Sequence, residues 1–166
     1  MSLDNPLWQY ALDLYSRPGV ESTALDLQTV GCSVNRLILA CYLAEQGRLL
    51  PAELLAGEAL SWQRELTHPL RVLRYQVRSL KAGRPELENC YRKMRQAELA
   101  CEQVEIMLLW EMLSETVLPV AEAGPALARA NIERVVAEVG AEAVVQASVQ
   151  IDAFIDAACP DPLASG

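Results

Sequence analysis

Between Leu87 and Leu108 the apolar positions fall at Leu87, Cys90, Met94, Ala97, Cys101, Val104 and Leu108, in alternating steps of three and four. That spacing puts all of them on one stripe of a helix. A second stripe precedes it, drawn by Leu55, Ala59, Trp62, Leu66, Leu70, Leu73, Val77 and Leu80. Gly83-Arg84-Pro85 lies between the two and interrupts helix. Two long amphipathic helices joined by so short a break predict an antiparallel hairpin, and that hairpin needs further helices to cover it. Trp62 is expected to anchor its first helix to the rest of the bundle.

The flanking segments read as those further helices. Asp4 or Asn5 caps a first helix with Pro6 at its opening position, and Trp8, Leu12 and Tyr15 recur on one face of it. Ser22 is expected to cap a second helix that runs through Val30 and stops at Gly31. Ser33 caps a third, Val34 to Gln46, whose apolar residues wrap more than one face. The fourth is expected to open at Pro51 and reach about Ala82, with a kink or brief break at His68-Pro69. The fifth runs from about Glu86 to Glu115, the sixth from Pro125 towards Gly140, and the seventh carries Val144 through Ala158. No segment alternates with period two between hairpin turns. The pattern therefore predicts an all-α fold, an irregular bundle of about seven helices built around the long hairpin.

Composition refines this without changing it. A chain of 166 residues is expected to form one domain over 1–158, with a flexible tail at 159–166. The net charge of −8 disfavours phosphate backbones and anionic membrane surfaces, so neither a nucleic acid nor a membrane is an expected partner. Met1 to Asn5 is short and polar and leads straight into a helix, and no apolar run is long enough to span a bilayer. The expected location is the cytoplasm. Five cysteines, Cys32, Cys41, Cys90, Cys101 and Cys159, show no Cys-x-x-Cys spacing and read as buried free thiols. Cys32, just ahead of a helix start, is the one with the position of a reactive thiol.

Candidate chemistry is sparse. A single histidine, His68, and scattered cysteines assemble no metal site, and no cofactor motif is present. Asp152 with Asp156, and the trio Glu98, Glu102 and Glu105, read as solvated acidic faces. No phosphate loop and no nucleophile elbow occurs, so catalysis is not expected.

Two features rise above this background. Arg64, Arg71, Arg74, Arg78 and Lys81 fall within about 100° of one another on the fourth helix, beside its apolar stripe. They form either a docking strip for an acidic partner or a phosphate-bearing ligand, or a solvated flank that pairs with Glu98, Glu102 and neighbouring acids of the fifth helix. In the N-terminal third, Gln28 and Asn35 lie among large apolar residues. They either hydrogen-bond across the turn between two short helices or form the polar floor of a small-molecule pocket walled by Trp8, Tyr15 and Tyr42.

The stretch Trp8 … Tyr15-x-x-Pro18-Gly19-Val20 … Leu25-x-Leu27-Gln28 … Val34-Asn35-x-Leu37-x-Leu39 resembles the opening of a family of small, uncharacterised proteobacterial proteins, a domain of unknown function. Trp62-x-x-Glu65-x-x-His68-Pro69-Leu70-Arg71-x-x-Arg74 … Lys81 resembles that family's middle region, and together the two cover about residues 8–82. The resemblance implies no activity. The leading expectation is a non-enzymatic interaction or adaptor module, binding an acidic protein or a second copy of itself. The alternative is a small-molecule-binding or enzymatic helical domain with its pocket near Trp8, Tyr15, Gln28 and Asn35.

Overall fold

Asn5 caps the first helix: its Oδ1 accepts from the Trp8 backbone N–H at 3.0 Å, and Pro6 follows where no amide hydrogen is needed. The structure, a computed structural model, describes residues 2–159; most of the expected tail at 159–166 lies outside them. Helix α1 spans Pro6–Ser16 and α2 Val20–Val30. Helix α2 starts earlier than Ser22, because Gly19 at φ 83° turns the chain directly into it. Gly31, at φ 114°, ends α2 with its N–H on the Gln28 carbonyl, as a left-handed terminator should.

Helix α3, Val34–Glu45, is the centre of the molecule. Every residue from Asn35 to Cys41 is buried, because α1, α2, α6 (Glu88–Glu115) and α7 (Pro125–Ala137) pack around it. Its helical run ends near Gly47, and residues 47–49 then lie antiparallel to 119–121, with one isolated bridge between Arg48 and Val120. Asn131 of α7 (Pro125–Ala137) fastens this crossing. Fully buried, it accepts from the Leu50 N–H at 2.8 Å and donates to the carbonyls of Ala40 and Arg48 at 3.2 and 3.0 Å. The last expected helix divides into α8 (Ala143–Gln146) and α9 (Ser148–Ala158), and α9 packs on α2 and α7. Among the described residues there is no strand.

The first helix of the hairpin departs from expectation at its start. Pro51 opens only a short 3-10 turn, Ala52–Leu55; Ala56 is extended, and the rod begins at Gly57 with φ 74°. From there α4 (Gly57–Trp62), a π turn (Gln63–Thr67) and α5 (His68–Leu80) run on without a gap. The expected break at His68-Pro69 is this π turn. Pro69 has no N–H to give the Glu65 carbonyl four residues back, and the His68 N–H reaches five residues back to Gln63. A second 3-10 turn, Pro85–Leu87, leads into α6, Glu88–Glu115, which returns antiparallel against α5.

Only the inner half of the hairpin is covered. The buried positions of α6 begin at Glu98, and α5 has none. Cys90 is therefore exposed and Cys101 only partly buried, against the expectation that both lie in the core. Two helices can shield each other on one side at most, and the outer half extends past the helices that would close the other. Trp62 is likewise half-buried, although its indole N–H donates to the Cys101 carbonyl at 3.0 Å and ties the two hairpin helices together.

Candidate functional site

Where the hairpin leaves the body, the chain forms a cleft of about 550 Å³. Its floor comes from α1, which offers Trp8, Ala11, Leu12 and Tyr15 at helical spacing, and from Val34, Asn35 and Ile38 in the first turns of α3. One wall is the face of α2 bearing Glu21, Leu25 and Gln28. The opposite wall is α6, with Arg92, Arg95 and Leu99 at the rim and Glu102 and Ile106 deeper, closed at the side by Arg74 and Tyr75 of α5. The lining is mainly apolar with a few convergent polar groups, the usual make-up of a ligand site.

Charge is distributed unevenly around it. Arg71 reaches Glu98 at 2.7 Å and Glu102 at 2.6 Å, and Arg74 pairs with the other oxygen of Glu98. Burial pushes the Glu98 carboxyl up, but the hydrogen bonds and charges of Arg74 and Arg71 outweigh it and hold the group below its usual range. For Glu102 burial prevails, and its carboxyl is raised. Burial also raises the Tyr15 hydroxyl. Behind the floor, Glu105 is 1% exposed and accepts from the Ser33 hydroxyl at 3.2 Å. Burial pushes it up to about 7, against the opposing pull of Asn35, Arg36 and Ser33.

The expected solvated face of Glu98, Glu102 and Glu105 is thus mostly interior. Glu98 and Glu105 are buried because α5 brings two guanidinium groups to the first and the start of α3 brings polar hydrogens to the second. Asp152 and Asp156 do face solvent, and Asp152 pairs with Arg129.

Four of the five expected pocket residues, Trp8, Tyr15, Gln28 and Asn35, meet in the cleft. Asn35 donates to the Glu102 carbonyl at 3.4 Å, and the Gln28 side chain makes no hydrogen bond among the described residues, so the two amides do not bridge their turn. Tyr42 lies elsewhere, stacked edge-on between Tyr10 and Trp110 with ring centres 5.3 and 6.1 Å away. The basic strip divides. Arg71 and Arg74 enter the Glu98 network, and Lys81 pairs with Glu88 at 2.7 Å over the Tyr91 ring. Arg78 stays exposed, while Arg64, carried by the π turn, lies beside His68 at a second, smaller cavity. Cys32 is buried, and burial alone pushes its thiol up to about 11, the opposite of an activated cysteine.

Arg92, Arg95 and Leu99 escape a reading based on the hairpin stripe, because they lie off it. Their signal is weak but present: Arg92 and Arg95 are three apart, with Leu99 one turn beyond on the same side. The described residues contain no group of His, Cys, Asp and Glu able to hold a metal ion, and no helix long and apolar enough to cross a membrane.

A family model described as "Protein of unknown function (DUF2390)" matches residues 6–109, and the chain belongs to that family. The match runs past residue 82, through the body of α6, so every residue that lines the cleft falls inside it. No curated protein and no solved structure matches the chain.

Proposed function

We propose that this family member binds a small organic anion with an apolar body in the cleft between α1, α2 and α6. The observation that carries this reading is the convergence of Trp8, Tyr15, Gln28 and Asn35 on one cavity whose rim holds Arg92 and Arg95. The Arg92 guanidinium donates to the amide of Asn89, and Arg95 has no partner among the described residues, so neither cation is neutralised by a carboxylate. An aliphatic or aromatic body would lie between Trp8, Leu25 and Leu99, its anionic head at the two arginines. The free Gln28 amide would orient any carbonyl or hydroxyl on it. The role is binding, and no chemical step is assigned.

The test is titration with an anilinonaphthalene sulfonate dye, which has an apolar body and one anionic group, followed by competition with decanoate. The wild type should bind the dye and release it to decanoate. Reversing Arg92 and Arg95 to Glu should weaken binding about fivefold or more per residue, while Leu73→Glu on the outer hairpin should leave it unchanged. Equal binding by the charge-reversed variant, or loss of binding in Leu73→Glu, would overturn the reading.

One observation favours a second reading, the interaction module. Leu66, Leu73 and Leu80 are exposed at seven-residue intervals along the hairpin. Such a row of leucines, on the side of the hairpin away from the body, is an apolar surface that a further helix could cover. A second copy or another helical protein would cover it, with Arg64 and Arg78 available to acidic side chains. Sedimentation of the pure protein as a monomer at every concentration would remove the second copy from this reading.

A further inference from the structure

Two of the five thiols meet although most of the chain separates them. Cys41 is fully buried on α3. Cys159 directly follows α9, half-buried and packed against the core that contains Cys41. The two thiols lie within hydrogen-bonding reach of each other. Arg17, just past the end of α1, holds them there. Its Nη1 donates to the Ala158 carbonyl, one residue before Cys159, at 2.6 Å. The same nitrogen donates to Glu45, one turn beyond Cys41 on α3, at 3.0 Å, and the Tyr10 hydroxyl donates to that Glu45 oxygen at 2.8 Å. The end of α9 is thus fastened to α1 and α3 at the carbonyl next to Cys159. By contrast, Cys90 and Cys101 stand about three turns apart on α6, too far to meet, and Cys32 lies ahead of α3.

The pair is chemically unequal. The hydrogen bond to Cys159, and then burial, push the Cys41 thiol well up, so it keeps its proton. The same hydrogen bond, helped by the charge of Arg17, brings the Cys159 thiol down against the opposing effects of burial and Glu45. Cys159 is also the member of the pair that solvent reaches. An accessible thiolate beside a cation, with a second thiol at its back, is the arrangement of a redox-sensitive cysteine and its resolving partner.

We propose that Cys41 and Cys159 are a redox pair, which a hydroperoxide converts to a disulfide and a small dithiol restores, tying the end of α9 to α3. The Cys159 thiolate attacks the hydroperoxide: an S–O bond forms, the O–O bond breaks, and the departing oxygen takes a proton and leaves as an alcohol, or as water from hydrogen peroxide. Cys159 is then a sulfenic acid. The Cys41 sulfur attacks the Cys159 sulfur, the S–S bond forms, the S–O bond breaks, and the hydroxyl leaves as water with the proton of Cys41. The two thiols have lost two electrons and two protons, and the hydroperoxide has gained them. Only Cys159 meets the oxidant, so the burial of Cys41 is no obstacle. A dithiol returns both electrons by thiol–disulfide exchange, entering at Cys159.

The experiment is oxidation of the reduced protein with a small excess of hydrogen peroxide, then alkylation and peptide mass mapping, with thermal unfolding in parallel. The oxidised protein should carry a Cys41–Cys159 cross-link that dithiothreitol removes, while Cys32 and Cys101 remain alkylatable. Closing so long a loop should raise the unfolding midpoint by about 5 °C or more over that of the reduced protein, and dithiothreitol should reverse the shift. Cys159→Ser should abolish the shift and leave Cys41 unlabelled by dimedone, a reagent for sulfenic acids. Cys41→Ala lacks the resolving thiol, so dimedone should label Cys159 in it. If Cys41→Ala does not fold, the mapped cross-link and the midpoint of the wild type decide the matter. Oxidation of Cys90 with Cys41 and Cys159 left as thiols, dimedone on Cys41 in Cys159→Ser, or a cross-linked protein no more stable than the reduced one would overturn the proposal.

Discussion

Glu105→Gln should make the protein more stable at neutral and alkaline pH and leave it unchanged in acid. Glu105 is 1% exposed, and burial lifts its carboxyl from 4.5 to about 7. One pKa unit corresponds to about 1.4 kcal/mol, so ionising this group costs the native state on the order of 3 kcal/mol. The sign follows from where the proton is held more tightly. Between pH 4.5 and about 7 the folded protein keeps a proton that the unfolded chain has released, so stability falls as pH rises through that window. Glutamine mimics the protonated acid and can still accept from the Ser33 hydroxyl, so the variant lacks this fall. Glu98, held below its usual range, contributes in the opposite direction and at lower pH, where its stabilisation is lost as pH falls, and both proteins share it. Urea unfolding followed by far-ultraviolet circular dichroism, from pH 4 to 8, should therefore give two curves that coincide in acid and separate by about 3 kcal/mol above pH 7. Curves that stay parallel, or a wild type that gains on the variant as pH rises, would show that Arg36 compensates the ionised carboxylate and that burial is not the dominant influence.

Asn131→Ala should cost about 3 kcal/mol in the same unfolding assay, because it strips the buried Leu50 N–H and the Arg48 carbonyl of their partner. A loss below about 1 kcal/mol would mean that water replaces the side chain without penalty. In native buffer a maleimide should modify Cys90 rapidly and spare Cys32 and Cys41 until the protein unfolds. Protection of Cys90 would place a covering partner on the outer hairpin.

The helical layout was legible because its causes are local. Asn5 before Pro6, Gly31 and Gly47 at positive φ, and the two apolar stripes each act within one or two turns of their own helix. The starts of two helices were not, because competing signals lay side by side. Pro51 and Gly57 both punctuate the approach to the hairpin, and Ser22 resembles a cap but sits inside a helix that Gly19 had already begun. Of the cleft, Trp8, Tyr15, Gln28 and Asn35 were legible because they are polar or aromatic residues set in otherwise apolar faces. Arg92 and Arg95 on the facing helix were not, since their importance lies in what stands opposite them.

What the sequence determined by itself is the helical class, the hairpin and the presence of a bend near Pro69, because backbone propensity, capping and missing hydrogens act at short range. Only the tertiary structure decided which side chains lie inside. Cys90 and Glu105 occupy neighbouring rows of the same helix, yet the thiol faces solvent and the carboxylate is buried. Periodicity assigns a residue to a face; whether another helix arrives to cover that face depends on where the hairpin outruns the body. The same holds for Arg36 and Arg71, both arginines next to apolar positions. One found two carboxylates across a helix contact and the other lies buried with its Nε and Nη2 free of hydrogen bonds, a difference set by the packing around α3 and α6.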